Sequence, residues 1–121
     1  MTSFRDRVRD TTTTTGTGDL TLSGTPPLSF QSFIDAYPDL GSTFVYGIED
    51  LTGGQWETGI GYLTAPTTFV RDTVYASSAG VGVKATFVAG TKNVFVTAAA
   101  RFIDNAGSGA IHARINGWAM P

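Results

Sequence analysis

From Thr43 onward, apolar and polar residues alternate with a period of two, and glycine or proline closes each run. That alternation predicts short antiparallel strands with one buried face, joined by tight turns. Phe44, Tyr46 and Ile48 share a face, and Gly53-Gly54 forms a turn. In the next run Trp56, Thr58, Ile60 and Tyr62 lie on one face, with Glu57, Gly59, Gly61 and Leu63 on the other. Glycines at alternate strand positions imply close backbone approach or bulges. Pro66 marks a further turn, after which Phe69, Arg71, Thr73 and Tyr75 alternate with Val70, Asp72, Val74 and Ala76. Val83, Ala85 and Phe87 predict another strand, and Val94 and Val96 the one after it. The core is expected to contain Phe44, Tyr46, Trp56, Ile60, Val74, Phe87, Val94 and Val96.

The first forty residues follow a different pattern. Charges alternate up to Asp10, and five threonines follow, Thr11 to Thr15. β-branched residues favour extended backbone, so this stretch reads as an edge strand or as an arm lying on another subunit, with plain disorder as the alternative. Gly16-Thr17-Gly18 turns the chain into a short strand with Leu20 and Leu22 on one face, which makes a hairpin with the threonine run. The spacing of Phe30, Phe33, Ile34 and Tyr37 predicts the single helix, over residues 29–37, with Ser29 as N-cap and Pro38 as its stop. An aromatic stripe at this spacing reads as a core plug. Beyond residue 98, Asp104 to Gly109 forms a turn into a strand with Ile111, Ala113 and Ile115 inward and His112, Arg114 and Asn116 outward. The whole reads as all-β, a single antiparallel β-sandwich or small barrel with one short helix and extended termini. It divides into an N-terminal arm or first strand (1–18), a β core (19–98) and a C-terminal strand extension (99–121).

Composition narrows the range of functions. A chain of 121 residues makes one domain. Its net charge of −2 offers no basic stripe for nucleic acid. Charged residues make up only 15%, against a usual quarter, and Lys84 and Lys92 are the only lysines, so neighbouring molecules are expected to cover part of the surface. The absence of cysteine excludes disulfides and thiolate metal sites. The N-terminus lacks the apolar stretch of a signal peptide, and no run approaches the about 18 apolar residues of a membrane-spanning helix. Synthesis in a cytoplasm is expected, with no membrane partner.

Candidate chemistry is sparse. His112, the only imidazole, could formally join Ser77 or Ser78 and Asp72 in a triad, but no G-x-S-x-G elbow supports it. Glu49, Asp50 and Glu57 flank the Gly53-Gly54 turn and could serve as a carboxylate pair or a calcium site, yet a hairpin end is also where charges are simply hydrated. No cofactor or metal is expected. Arg71 and Asp72 point to opposite faces, so a buried Arg71 needs a partner from another strand or subunit.

The order of motifs is more specific than any one of them. Trp56-Glu57-x-Gly59-x-Gly61 precedes Arg71-Asp72-Thr73-Val74-x-Ala76-Ser77-Ser78, and Phe87-x-Ala89-Gly90-Thr91-Lys92-x-Val94-Phe95-Val96-Thr97 follows. With Arg7-Val8, the threonine run and Leu20-Thr21-Leu22, this resembles a small β domain that recurs in virion structural proteins of tailed bacteriophages. The resemblance covers about residues 7–98. It implies a non-enzymatic module in which Trp56, Arg71, Asp72, Ser77 and Ser78 are structural. The chain departs from the family by starting as a free-standing product at Met1, by residues 99–121, and by the apolar loop Ala79-Gly80-Val81-Gly82. These departures favour a capsid decoration (cement) protein, a homo-oligomer and foremost a trimer, bound to the major capsid protein. A tail-fibre, tail-tip or adaptor module and a carbohydrate-binding module are the alternatives. Contacts to neighbours are expected from Phe4, Val8, Thr11, Thr12, Thr13, Thr14 and Thr15, and from Ile111, His112, Arg114, Trp118 and Met120.

Overall fold

The computed structural model describes residues 2–50, 52–100 and 103. Among these residues the named elements follow in the order β1 (Arg9–Thr12), β2 (Leu20–Thr21), α1 (Phe33–Ala36), β3 (Phe44–Glu49), β4 (Trp56–Ala65), β5 (Thr68–Ser77), β6 (Gly80–Val81) and β7 (Lys92–Val96). The strands form one antiparallel sheet ordered β1-β7-β3-β4-β5-β2, with β6 added to β5. Its two ends meet at the bridge between Thr12 and Leu22, backed by Ser23 N–H donating to the Thr11 carbonyl at 2.9 Å. The expected all-β fold is therefore a nearly closed barrel. Barrel closure removes the exposed edges that would otherwise invite pairing with another chain.

The core fills the barrel. Phe33, Tyr37, Phe44, Tyr46 and Phe69 form a ring cluster with centroid separations of 4.7 to 5.5 Å, among buried Val8, Leu20, Leu22, Ile48, Leu63, Phe87 and Val94. Phe33 and Tyr37 plug one side from the helix, as expected. The helix is shorter than predicted. It has one turn, and its N-cap is Ser32, whose hydroxyl accepts from Asp35 N–H at 3.2 Å. Leu28 and Ser29 have φ of 44° and 65°, which no helix tolerates, so the helix cannot start at Ser29.

β4 corrects the assignment of its faces. Glu57, Gly59, Gly61 and Leu63 are the buried set, whereas Trp56 is 43% exposed and Ile60 only half-buried. Val74 and Val96 are also half-buried rather than interior. The physical reason is space. A Cβ on Gly59 would overlap the Thr73 carbonyl and sit 3.0 Å from the Tyr46 hydroxyl, and one on Gly61 would meet the Val70 carbonyl at 2.7 Å. The glycines admit the interior rings; they do not mark a solvent face. Opposite them the β4–β5 register shifts twice, between Thr58 and Gly59 and between Ile60 and Gly61, which places Tyr75 and Asp72 at bulges on β5. Tyr75 thereby joins Val45, Ile60 and Ala99 in a small second cluster.

The strand expected through Val83, Ala85 and Phe87 is not a ladder. Ala85 and Phe87 are buried, but the segment is tied by a bridge from Phe87 to Gly16, by a turn bond from Val83 N–H to the Gly80 carbonyl and by side-chain bonds. Among the described residues, no helix is long and apolar enough to cross a membrane.

Candidate functional site

The charged residues of the strongest motif meet inside the barrel. Arg71 and Glu57 have fully buried side chains and form the one salt bridge among the described residues. Arg71 Nε donates to Glu57 Oε2 at 2.7 Å and its Nη2 to Glu57 Oε1. The other Nη2 hydrogen has the Ala85 carbonyl at 2.7 Å, and Nη1 reaches the carbonyls of Gly16 and Gly18 at 3.2 and 3.3 Å. A guanidinium has five N–H donors, and all five have an acceptor. Glu57 accepts two further bonds, from the Tyr46 hydroxyl at 2.6 Å and Ala85 N–H at 2.8 Å. Phe87 closes the cluster, with its ring centroid 5.1 Å from the guanidinium carbon. Burial, then the adjacent Glu57 charge, raise the Tyr46 pKa well above its ordinary value.

Glu57 is thus not a hydrated acid at a hairpin end. It joins β4 to β3 through Tyr46, to β5 through Arg71 and to the Ala85 segment, and Arg71 extends the cluster to the Gly16–Gly18 turn. Arg71 finds the expected partner on another strand of its own chain. Asp72, on the opposite face, is exposed. Ser77 is buried, with its hydroxyl donating to the Val83 carbonyl and accepting from Ala79 N–H at 3.0 Å. Ser78 Oγ accepts from Trp56 N–H at 3.2 Å. Both serines therefore shape the turn after β5. Glu49 and Asp50 do not converge with Glu57, and no cluster able to hold a metal occurs among the described residues. Asp50 is buried and caps Thr52 and Gly53 through Oδ1, while Lys92, also buried, donates to the Val88 carbonyl at 2.8 Å. Desolvation lowers the Lys92 pKa, with Asp50 partly opposing.

The N-terminal stretch is built into the same barrel. Val8 and Thr12, expected at an interface, are buried in the chain's own fold, because alternate residues of β1 face its core. Thr12 Oγ1 donates to the Thr21 carbonyl at 2.8 Å, and Thr14 Oγ1 accepts from Thr21 N–H at 2.9 Å. Threonine hydroxyls here replace a backbone ladder, which is what the five-threonine run contributes locally. Asp10, also buried, holds Ser23 Oγ and Gly24 N–H and so pins the far side of the closure. Phe4, Thr13 and Thr15 are exposed and Thr11 and Thr14 half-buried. Ile111, His112, Arg114, Trp118 and Met120 lie outside the described residues.

On the outer face, the chain entering β1 and the Pro26-Pro27 loop make a groove of about 440 Å³ lined by Arg7, Val8, Arg9, Phe30, Glu49, Phe95 and Val96. Gln31 N–H donates to the Arg7 carbonyl at 2.7 Å and Arg9 N–H to the Gln31 carbonyl at 3.2 Å, which fixes the two walls together. The Arg7 and Arg9 guanidinium carbons lie 4.1 and 5.3 Å from the Phe30 ring centroid. Arg7 also donates to the Leu28 carbonyl at 3.2 Å. The Arg9 side chain has no hydrogen-bond acceptor among the described residues, and its Nε is buried. Around this groove sit all three described non-glycine residues with positive φ: Arg7 at 55°, Leu28 at 44° and Ser29 at 65°. Phe30 N–H returns to the Pro27 carbonyl at 3.0 Å, so Leu28 and Ser29 are the central pair of a turn that glycine and asparagine normally occupy. Such residues each cost of order 1–3 kcal/mol and cluster at functional surfaces. Leu28 is 83% exposed at this turn. No local pattern marks the groove, because Arg7, Phe30 and Phe95 are far apart in the chain.

Compared with protein-family models, with curated proteins and with solved structures, the chain matches none of them.

Proposed function

We propose that this chain is a non-enzymatic structural protein of a tailed-bacteriophage virion, acting as a capsid decoration protein on the head shell. The observation that carries the reading is the motif order from Trp56 to Thr97, whose charged members Glu57 and Arg71 form a buried clasp that fastens loops together. Every donor of Arg71 has an acceptor, so the clasp supports a framework role better than a reactive one. A low proportion of charge supports it too, since a shell-bound protein needs less solvated surface. The test is the copy number in purified virions, read from a stained gel beside the major capsid protein. Hundreds of copies, arranged as trimers or another symmetric cluster, fit the decoration role. A handful of copies at one vertex or at the tail tip assigns the chain to the tail or adaptor instead.

Trp56 favours one second reading. It is 43% exposed on the outer face of β4, where an indole can serve as a platform for a sugar ring. A saturable, sugar-dependent change in Trp56 fluorescence, lost in Trp56→Phe, would favour a carbohydrate-binding module.

A further inference from the structure

We propose that the groove between the β1 entry and the Pro26-Pro27 loop is a docking site for an extended acidic segment of a partner protein. A carboxylate of that segment would lie against Arg7 and Arg9, with a neighbouring apolar side chain against Phe30 and Phe95. The proposal deepens the structural role put forward above by naming its contact chemistry, and it rests on that reading only for where the partner resides.

Three observations carry it. First, the Arg7 and Arg9 guanidinium carbons lie over the Phe30 ring; one Arg7 nitrogen already donates to the Leu28 carbonyl, whereas Arg9 has no acceptor among the described residues and its Nε is buried, which leaves its terminal nitrogens as the donors for a ligand. A carboxylate accepts from such a pair of nitrogens through two parallel bonds, and the ring holds the guanidinium ready for it. Second, the chain's net charge is −2, so the positive charge here is local and not part of a general basic surface. Third, Phe30, Phe95, Val8 and Val96 give the groove apolar walls, and Glu49 stands on one side of it. A nucleic-acid backbone would bring phosphates past Glu49 and would gain nothing from those walls. An extended peptide suits both, because its own backbone N–H groups can donate to Glu49 while alternate side chains meet the arginines and the rings.

The test uses the full chain and a fluorescein-labelled hexapeptide alternating leucine and aspartate. Controls are the same peptide with asparagine for aspartate, and a labelled duplex DNA. Anisotropy should show saturable binding of the aspartate peptide that weakens as salt is raised. Arg7→Gln and Arg9→Gln should each weaken it about tenfold or more, the loss expected for a charge-assisted bond. Arg9→Lys keeps the charge but loses the planar fork, and should bind nearly as poorly as Arg9→Gln. Arg5→Gln, which makes the same charge change outside the groove, should bind within about twofold of wild type because its guanidinium lies over Tyr37 instead. Thermal melts of all four variants should match wild type. The proposal is overturned by no saturable binding up to about 1 mM peptide, by equal binding of the asparagine peptide, by tighter binding of the DNA, or by Arg9→Gln binding like wild type. Because the peptide assay needs no particle, its result is independent of whether the chain belongs to a virion.

Discussion

Arg71 shows how much one side chain can organise when every donor is satisfied. Removing it leaves the Glu57 carboxylate buried without its counter-charge and frees the carbonyls of Gly16, Gly18 and Ala85. Arg71→Met should therefore destabilise the fold by about 3–5 kcal/mol, the usual result of breaking a buried pair from one side. Urea unfolding measures it, and a midpoint close to wild type would show that the clasp is dispensable. Replacing both partners, Arg71→Met with Glu57→Leu, should recover part of the loss, since no charge is then stranded. The same cluster sets a pH limit. Tyr46 keeps its proton in the folded barrel above its ordinary pKa of 10.0, whereas the unfolded chain releases it there. The unfolded state then binds fewer protons than the native one, so stability is intact below pH 10 and falls as pH rises beyond it. Tyr46→Phe should flatten that alkaline decline, leaving the smaller share from Tyr37, whose pKa burial also raises. At neutral pH the variant should lose about 1–3 kcal/mol, because Glu57 is left one donor short. Paired melts at neutral and alkaline pH distinguish the two effects.

At the level of elements, strand positions were legible and their faces were only partly so. Period-two alternation located β3, β4, β5 and β7 and the turn at Pro66, because those signals are local. It inverted β4, because a glycine counts as neither polar nor apolar while a large Trp56 weighs heavily. What decides the face is long-range: the Tyr46 hydroxyl and the Phe69 ring need the room above Gly59 and Gly61. The Ala85 segment misled for a related reason. Its alternation is genuine, but its N–H partner is a carboxylate from β4, so no strand pairs with it there. Gly59 and Gly47 provide a matched test of close approach. A methyl at Gly47 meets the end of the Phe95 ring at 2.6 Å, and that ring can turn away toward the outer face. A methyl at Gly59 meets backbone at the bulge, which cannot move without breaking the β4–β5 register. Gly59→Ala should cost at least the about 1–3 kcal/mol typical of overpacking, and Gly47→Ala clearly less. Equal shifts in thermal midpoint for the two would refute this distinction.

Over the whole molecule, the closure of the barrel was the least legible feature. β1 pairs with β7, bringing Arg9 opposite Phe95 and Thr12 opposite Lys92, and no local pattern announces a partner so distant in the chain. The polar charge-and-threonine stretch therefore reads equally well as an arm reaching for another subunit. Its place in the barrel changes what a truncation should do. Deleting residues 1–15 removes the strand between β7 and β2, takes Val8 from the core and frees the Ser23-Gly24 turn from Asp10. It also strips Arg71 of its Gly16 approach by cutting the loop next to it. Two sheet edges would then be open to solvent and to other chains. The truncated chain should lose its cooperative thermal transition and associate on size exclusion, and a synthetic peptide of residues 1–15 should restore both behaviours in part. A removable arm predicts the opposite: a monomer melting within a few degrees of wild type, with only its binding to particles impaired. Point changes on the outer face, such as Arg9→Gln, are consequently the proper probes of contact, because they leave the closing strand in place.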